Sequence, residues 1–366
     1  MVNEDKLTDY QGCLIGGAVG DSLGAPIEFL SVDQITQKYG VHGVQDYVEF
    51  EGGVGEFTDD TQMLLFTAEG LLRSKHRAML KGIGGSLHQI TYSSYLRWLK
   101  TQDYPYFGKS QHNLSSQLES GWLVHIPELA TRRYPGNTCL ESLSQGIQGT
   151  VKNPVNNSKG CGTIMRIAPV GLIFSDDVQL AFEEGVNLSA LTHGHPSAYL
   201  SGGFFSGLIA CLANRKPLRE SIYEIIEILE GWKEGIEVKE AVLKALSKSE
   251  EVGFEKLTSN DISEIGAGWV AEEALGIALL CALRYDHDFK GGVLAAINHS
   301  GDSDSTGSIT GNILGLINGL KGIPAQWREN LKSYELVLQV GEDLAIGVKG
   351  NQHNPNDGWW DKYPGF

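Results

Sequence analysis

Apolar residues recur at spacings of three and four through residues 9–24, 61–74, 178–192, 196–213, 218–231, 237–248, 269–284, 290–299, 306–320 and 333–346. That is the period of a helix with one buried face. Strand-like alternation is scarce, and only residues 45–50 and 170–174 read as short extended pieces. The pattern therefore predicts an all-α protein. Stretches 101–117 and 149–160 are polar and rich in turn formers, and 249–266 is mixed and charged. Loops of this length often edge a functional site. With no internal repeat and no interdomain linker, residues 1–366 are expected to form one domain, a compact helical bundle.

The glycines add a second pattern. Gly12, Gly16, Gly20 and Gly24 recur every fourth residue, as do Gly307, Gly311, Gly315 and Gly319. A spacing of four puts each set on one helix face. Each glycine inside a helix costs roughly 1 kcal/mol relative to alanine, so a stripe of four implies a return, namely backbones in close approach. Ala198, Gly202, Ser206 and Ala210 form a third small-residue stripe. The first and last thirds of the chain are thus expected to meet.

Composition narrows the function. Acidic residues outnumber basic ones 45 to 29, a formal net charge of -16, which disfavours a nucleic-acid partner and suits cation binding. Five scattered cysteines, with no CxxC pair, fit a reducing compartment. The charged opening MVNEDKLTDYQG lacks an apolar signal core, and no apolar run approaches the ~20 residues of a membrane helix. The expectation is a cytoplasmic protein with no membrane partner.

Two acidic clusters carry candidate chemistry. Phe57-Thr58-Asp59-Asp60-Thr61 and Gly301-Asp302-Ser303-Asp304-Ser305-Thr306-Gly307 each lead into a helix pattern. Either alone could be a helix cap, but each has more carboxylates than a cap uses. If the clusters meet, four aspartates share one small volume, and they stay ionised only beside a cation. An all-oxygen donor set points to Mg²⁺, Mn²⁺ or Ca²⁺ rather than Zn²⁺, and the Asp-x-Asp-Ser spacing suits a two-metal hydrolase. Glu28 follows the first glycine stripe, after Pro26 breaks the helix. By itself it also reads as a solvated loop carboxylate.

Six segments in order resemble the ADP-ribosylglycohydrolase family, which includes the hydrolase that reactivates dinitrogenase reductase. They are GCLIGGAVGDSLGAPIEF, FTDDTQM, KGCGTIMRIAPVGL, LTHGHPSA, GWVAEEAL and NHSGDSDSTG, spanning roughly residues 10 to 320. The resemblance implies an all-α fold with a binuclear Mg²⁺ or Mn²⁺ centre. Thr58, Asp59, Asp60, Asp302, Asp304 and Ser305 would be the metal ligands. Glu28 would be the mobile acidic residue that contacts a metal or its bound water, with the proton transfers falling to Glu28, Asp59 or Asp60. Gly160, Cys161, Gly162, Thr163 and Met165 would line an ADP-ribose groove through backbone N–H groups, with His193 near the diphosphate or distal ribose. Gly268, Trp269 and Gly301 complete that set. Without the resemblance, residues 160–166 read as a tight turn and His193 as a helix cap, while Arg166 could pair with a phosphate or a carboxylate.

The reaction implied is hydrolysis of the bond between C1″ of ADP-ribose and a protein side chain, through an oxocarbenium-like transition state. The GDSDSTG wording resembles the arginine-specific branch, with Glu56, Asp103 and Glu273 as candidate guanidinium partners. Some bacterial relatives are immunity proteins against ADP-ribosylating toxins, so a cognate ADP-ribosyltransferase toxin is an expected partner beside the ADP-ribosylated protein. Rival readings are an ADP-ribose- or toxin-binding protein without turnover, a hydrolase of O-linked ADP-ribose (serine or O-acetyl-ADP-ribose), and a two-metal phosphohydrolase. A Cys161/His195 nucleophile lacks an accompanying oxyanion arrangement.

Overall fold

The opening helix, Glu4–Gly24, starts at an Asn3 cap whose side chain accepts from the Asp5 N–H. It packs antiparallel along the helix Ser303–Gly322, which breaks at Gly319 (φ 66°), and the two form the most extensive helix pair among the described residues. The glycine stripes are the contact. Gly12 faces Gly315, Gly16 faces Gly311, Gly20 faces Gly307 and Gly24 faces Ser303. A methyl group at any of these glycines would overlap a backbone carbonyl of the other helix. Asn312 reinforces the pair by donating to the Cys13 carbonyl at 2.8 Å. Antiparallel packing has a direct consequence: the end of the first helix lies beside the start of the second, so Glu28 is delivered to Asp302 and Asp304.

The structure is a computed structural model that describes residues 3–82, 84–85, 87–108, 118–253, 256–347 and 358–365. It is all-α: among the described residues there are two isolated β-bridges, Phe50–Gly53 and Gly160–Val270, and no strand. The third small-residue stripe also closes a helix pair. Gly202 and Ser206 of Pro196–Ala213 fit against Ser189 and Gly185 of Val178–Ser189. Pro196–Ala213 is long and apolar enough to cross a membrane, yet 89 % of that window is buried inside the protein.

Several segments differ from the sequence expectation. Residues 170–173 belong to the helix Ala168–Ile173, which Phe174 caps and which has proline in its first turn; the preset φ of Pro169 favours a helix start. Residues 45–50 form no strand, and Phe50 pairs only with Gly53. Helices Val32–Tyr39, Leu87–Thr101, Asn137–Ser144 and Ser259–Ile265 were not expected. The last begins at a Thr258–Asp261 capping box and, with Ile236–Val252, occupies most of 249–266. Residues 149–160 lack helix, as expected. Of stretch 101–117, residues 109–117 lie outside the described residues, as do 254 and 255 of the mixed stretch.

Candidate metal centre and active site

Three segments meet at one cavity. Thr58 caps the helix Asp59–Lys81, its hydroxyl accepting from the Asp60 N–H. Asp302 caps Ser303–Gly322 by accepting from the Ser305 N–H, which also donates to Asp304 Oδ1 at 2.9 Å. Glu28 follows the 3₁₀ turn Ala25–Ile27, with proline in that turn. The loop after it is tied down by two distant bonds. Val32 N–H donates to Ser300 Oγ, and Val44 N–H to Asn298 Oδ1.

Asp21 is a member of this site that the sequence reading left without a role. Fully buried, it accepts from the Thr58 N–H at 2.9 Å, the Thr61 N–H at 3.1 Å and the Thr61 hydroxyl at 2.5 Å. It fastens the start of one acidic helix to the glycine-striped helix. The only sequence signal is a carboxylate inside an otherwise small and apolar stretch.

A cavity of about 200 Å³ is lined by Glu28, Asp59, Asp60, Asp302, Asp304 and Ser305, together with Gly160, Cys161, Gly162, Met165, His193 and Trp269. The closest grouping is Glu28, Asp302 and Asp304, whose carboxylate oxygens come within 4.8 Å of one another. Glu28, expected to contact a metal or its bound water, thus lies beside two of the expected ligands. A larger cavity of about 700 Å³ opens at the far end of the two striped helices, but its Asp5 and Asp9 are already paired with Arg215.

Electrostatics give the carboxylates their character. Burial, followed by the charges of Asp302, Asp59 and Asp21, pushes Glu28 up to about 9. Burial lifts Asp21 to about 6, against the pull of its Thr61 and Thr58 bonds. Asp59, Asp60 and Asp304 are raised well above the carboxylate range, first by burial and then by neighbouring carboxylates. Asp302 is raised by burial despite accepting hydrogen bonds. The residues lining the cavity include no Lys or Arg, and Asp60 Oδ2 is buried without a hydrogen-bond partner. Such a group must hold protons or a cation. Its donors are oxygens from carboxylates and hydroxyls, the set preferred by Mg²⁺ and Mn²⁺. The residues present fit a divalent cation.

Other expected site residues have different surroundings. Thr58, Thr163, Gly268 and Gly301 do not line the cavity. Thr58 stays in touch through its hydroxyl, 3.3 Å from Asp304 Oδ2. Thr163 is fully buried and donates to the Ala198 carbonyl. Gly268, at φ 85°, donates to Glu273 Oε2, and a side chain at Gly301 would overlap the Ala267 carbonyl. Both glycines shape the loop behind Asp302. Not all backbone N–H groups of 160–165 face the groove, since Gly160 donates to Ser158 Oγ and Cys161 to the Trp269 carbonyl.

His193 lines the cavity, with Nδ1 2.9 Å from Thr192 Oγ1; burial and Arg166 push it down to about 3. The helix cap is instead His195, which accepts from the Ser197 N–H. Arg166 is fully buried over the Tyr95 ring and donates to Thr192 Oγ1. Among the described residues it pairs with no carboxylate; Thr192 and the Tyr95 ring are among its partners. Cys161 Sγ contacts Asp302 at 2.7 Å, and burial and that carboxylate raise its pKa, opposing a nucleophile. None of the proposed guanidinium partners lines the cavity. Glu56 pairs with Arg133, and Glu273 holds the Ala267 and Gly268 N–H groups.

The fold is all-α, and its buried acidic helix starts face one cavity. The chain belongs to the ADP-ribosylglycohydrolase family, whose sequence profile matches residues 3–354. It is 28 % identical to an uncharacterised protein of Archaeoglobus fulgidus over 92 % of this chain and 95 % of that protein. It is 23 % identical to the ADP-ribosylarginine hydrolase Tri1 of Pseudomonas putida, over 94 % of this chain and 80 % of that protein. A solved ADP-ribosylglycohydrolase-related protein complex superposes with a TM-score of 0.61 and 21 % identity, covering 94 % of this chain and 99 % of that one. That likeness shows the fold.

Proposed function

We propose that this protein removes ADP-ribose from modified protein side chains, arginine foremost, by hydrolysing the N-glycosidic bond at C1″ with two bound Mg²⁺ or Mn²⁺ ions. The observation that carries the proposal is the convergence of Glu28, Asp59, Asp60, Asp302 and Asp304 in a cavity without a lining cation. Family membership supplies the substrate class, and the likeness to an arginine hydrolase supports the linkage.

Thr58, Asp59, Asp60, Asp302, Asp304 and Ser305 would hold the cations, with Glu28 beside Asp302 and Asp304. Bound cations supply charge neutralisation and Lewis acidity and lower the pKa of a water. The chain's own residues do the rest. Asp21 fixes the Thr58–Thr61 turn that aims Asp59 and Asp60. Glu28, poised to hold or release a proton, assists the attacking water or the leaving nitrogen. The Gly160–Met165 turn, whose Cys161 touches Asp302, and His193 line the cavity beside the carboxylates and would seat the nucleotide. His193, held neutral, offers a hydrogen bond without adding charge.

Product analysis tests the reading. Incubated with ADP-ribosyl-arginine and Mg²⁺, the protein should release free ADP-ribose and intact arginine. AMP would indicate a phosphohydrolase, and no product a binding protein.

A further inference from the structure

The mouth of the cavity is ringed by aromatic side chains that burial does not explain. Phe29, next to Glu28, is 67 % exposed. Its ring is stacked on Trp269, with centroids 5.7 Å apart and planes at 18°, and tilted against Tyr134 at 6.2 Å. Tyr134 in turn meets Phe50 at 5.7 Å. Tyr134 and Trp269 both line the carboxylate cavity, yet each is substantially exposed. Large rings left in water at one place mark a surface that binds something.

The backbone is strained to put one of these rings there. Tyr134 stands at φ 51°, as does Glu51, in the left-handed region that non-glycine residues rarely adopt. The two are joined, since the Tyr134 hydroxyl donates to Glu51 Oε1 at 2.7 Å. The rings are thereby flanked by carboxylates, Glu28 on the cavity side and Glu51 on the outer side. Aromatic faces beside carboxylates attract a flat, delocalised cation through its charge and its plane together. An alcohol-derived leaving group has neither. Because Tyr134 and Trp269 line the cavity together with Glu28, a group departing from a bond on which Glu28 acts is adjacent to these rings.

We infer that Phe29 and Tyr134, backed by Trp269 and Glu51, form the subsite for the leaving side chain and select a guanidinium. The inference rests on the arginine reading above. It assigns the linkage specificity to Phe29 and Tyr134, which lie outside the expected metal and nucleotide contacts.

The test uses the full chain with Mg²⁺ and the single variants Phe29→Leu, Tyr134→Leu and Tyr134→Phe. Steady-state kinetics on ADP-ribosyl-arginine are set beside calorimetric affinity for free ADP-ribose. Each leucine variant should raise KM for the arginine conjugate about tenfold, the scale of a partly desolvated cation–π contact, with a smaller change in kcat. ADP-ribose affinity should stay within about twofold, and Tyr134→Phe, which keeps the ring but loses the Glu51 bond, should raise KM less than Tyr134→Leu does. Unchanged KM in both leucine variants overturns the inference while the arginine activity stands. So does a loss of ADP-ribose affinity as large as the KM change, because the rings would then hold the nucleotide. Wild type that cleaves a serine conjugate but not the arginine conjugate overturns the arginine reading, and the inference with it. That failure appears in the wild-type arm alone.

Discussion

Thr58 Oγ1 donates to Asp304 Oδ2 at 3.3 Å, joining the starts of two helices 246 positions apart in the chain. The bond exists because Asp21 holds the Thr58 N–H from the glycine-striped helix while that helix lies against the one Asp304 begins. The three segments therefore form one polar knot, and moving either striped helix would pull the carboxylates apart.

The stripes should accordingly tolerate no side chain. Gly16→Ala would drive a methyl into the Gly311 carbonyl, a backbone atom that cannot rotate away. Overpacking of this kind costs about 1–3 kcal/mol. Gly84→Ala, with nothing within 4 Å of the new methyl, serves as the control. Denaturant unfolding should show the loss for Gly16→Ala only; equal stability of the two would argue against backbone contact.

Asp21→Asn should expose the role of the buried fastener. The amide puts an NH₂ where one carboxylate oxygen stood, so it faces either the Thr58 N–H or the Thr61 N–H and hydroxyl, donor against donor. In saturating Mg²⁺ the expected destabilisation is about 2 kcal/mol, the scale of a buried donor left unpaired, together with weaker Mg²⁺ binding. Chemical denaturation and calorimetry read the two effects. A variant as stable as wild type would reduce Asp21 to a bystander.

Metal-free protein should lose stability as pH rises. Folded Glu28 keeps its proton to about pH 9, against 4.5 for a free glutamate side chain. The folded state thus binds more protons in between, so the stabilisation is complete below about pH 4.5 and falls toward pH 9. The other raised cavity carboxylates act in the same sense. His193 opposes them only at lower pH, its folded value of about 3 lying below the ordinary 6.5. Melting in a chelator should therefore fall between pH 7 and 8.5, and Mg²⁺ should raise the melting temperature more at pH 8.5 than at pH 7. A flat chelator profile and a pH-independent Mg²⁺ shift would mean the carboxylates do not share protons this way.

Glu28→Gln keeps shape and one oxygen donor but cannot exchange a proton. Turnover on an arginine conjugate should fall on the order of 10²-fold or more, as for loss of a general acid–base group. ADP-ribose affinity should change far less. Parallel loss of Mn²⁺ binding would make Glu28 a metal ligand first, a possibility raised by its closeness to Asp302 and Asp304.

The parts of this architecture governed by local rules were legible in the sequence. A glycine every fourth residue has little meaning outside a close helix contact, so the pairing of the first and last thirds could be read directly. Acidic residues at helix starts, and their oxygen chemistry, were equally plain. What depended on tertiary packing was not. The helix Leu87–Thr101 contains Ile-Thr-Tyr, residues that also suit strands, and is helical where it packs on Asp59–Lys81. The run at 170–174 was too short for its period to distinguish helix from strand. Asp21 looked like one polar residue in a glycine helix until Thr58 and Thr61 were placed beside it. The aromatic rim gathers Phe29, Tyr134 and Trp269 from three distant segments, and no spacing in the sequence connects them.

The most direct test of the metal centre is a calorimetric titration of the chelator-stripped protein with Mn²⁺ at pH 7.5, beside Asp302→Asn and Asp304→Asn. The wild type should bind two ions per chain. Each variant should lose at least one of them and weaken the other while keeping its helical circular dichroism. Wild type that takes up no Mn²⁺ at millimolar concentration, or variants that titrate as wild type does, would contradict the account.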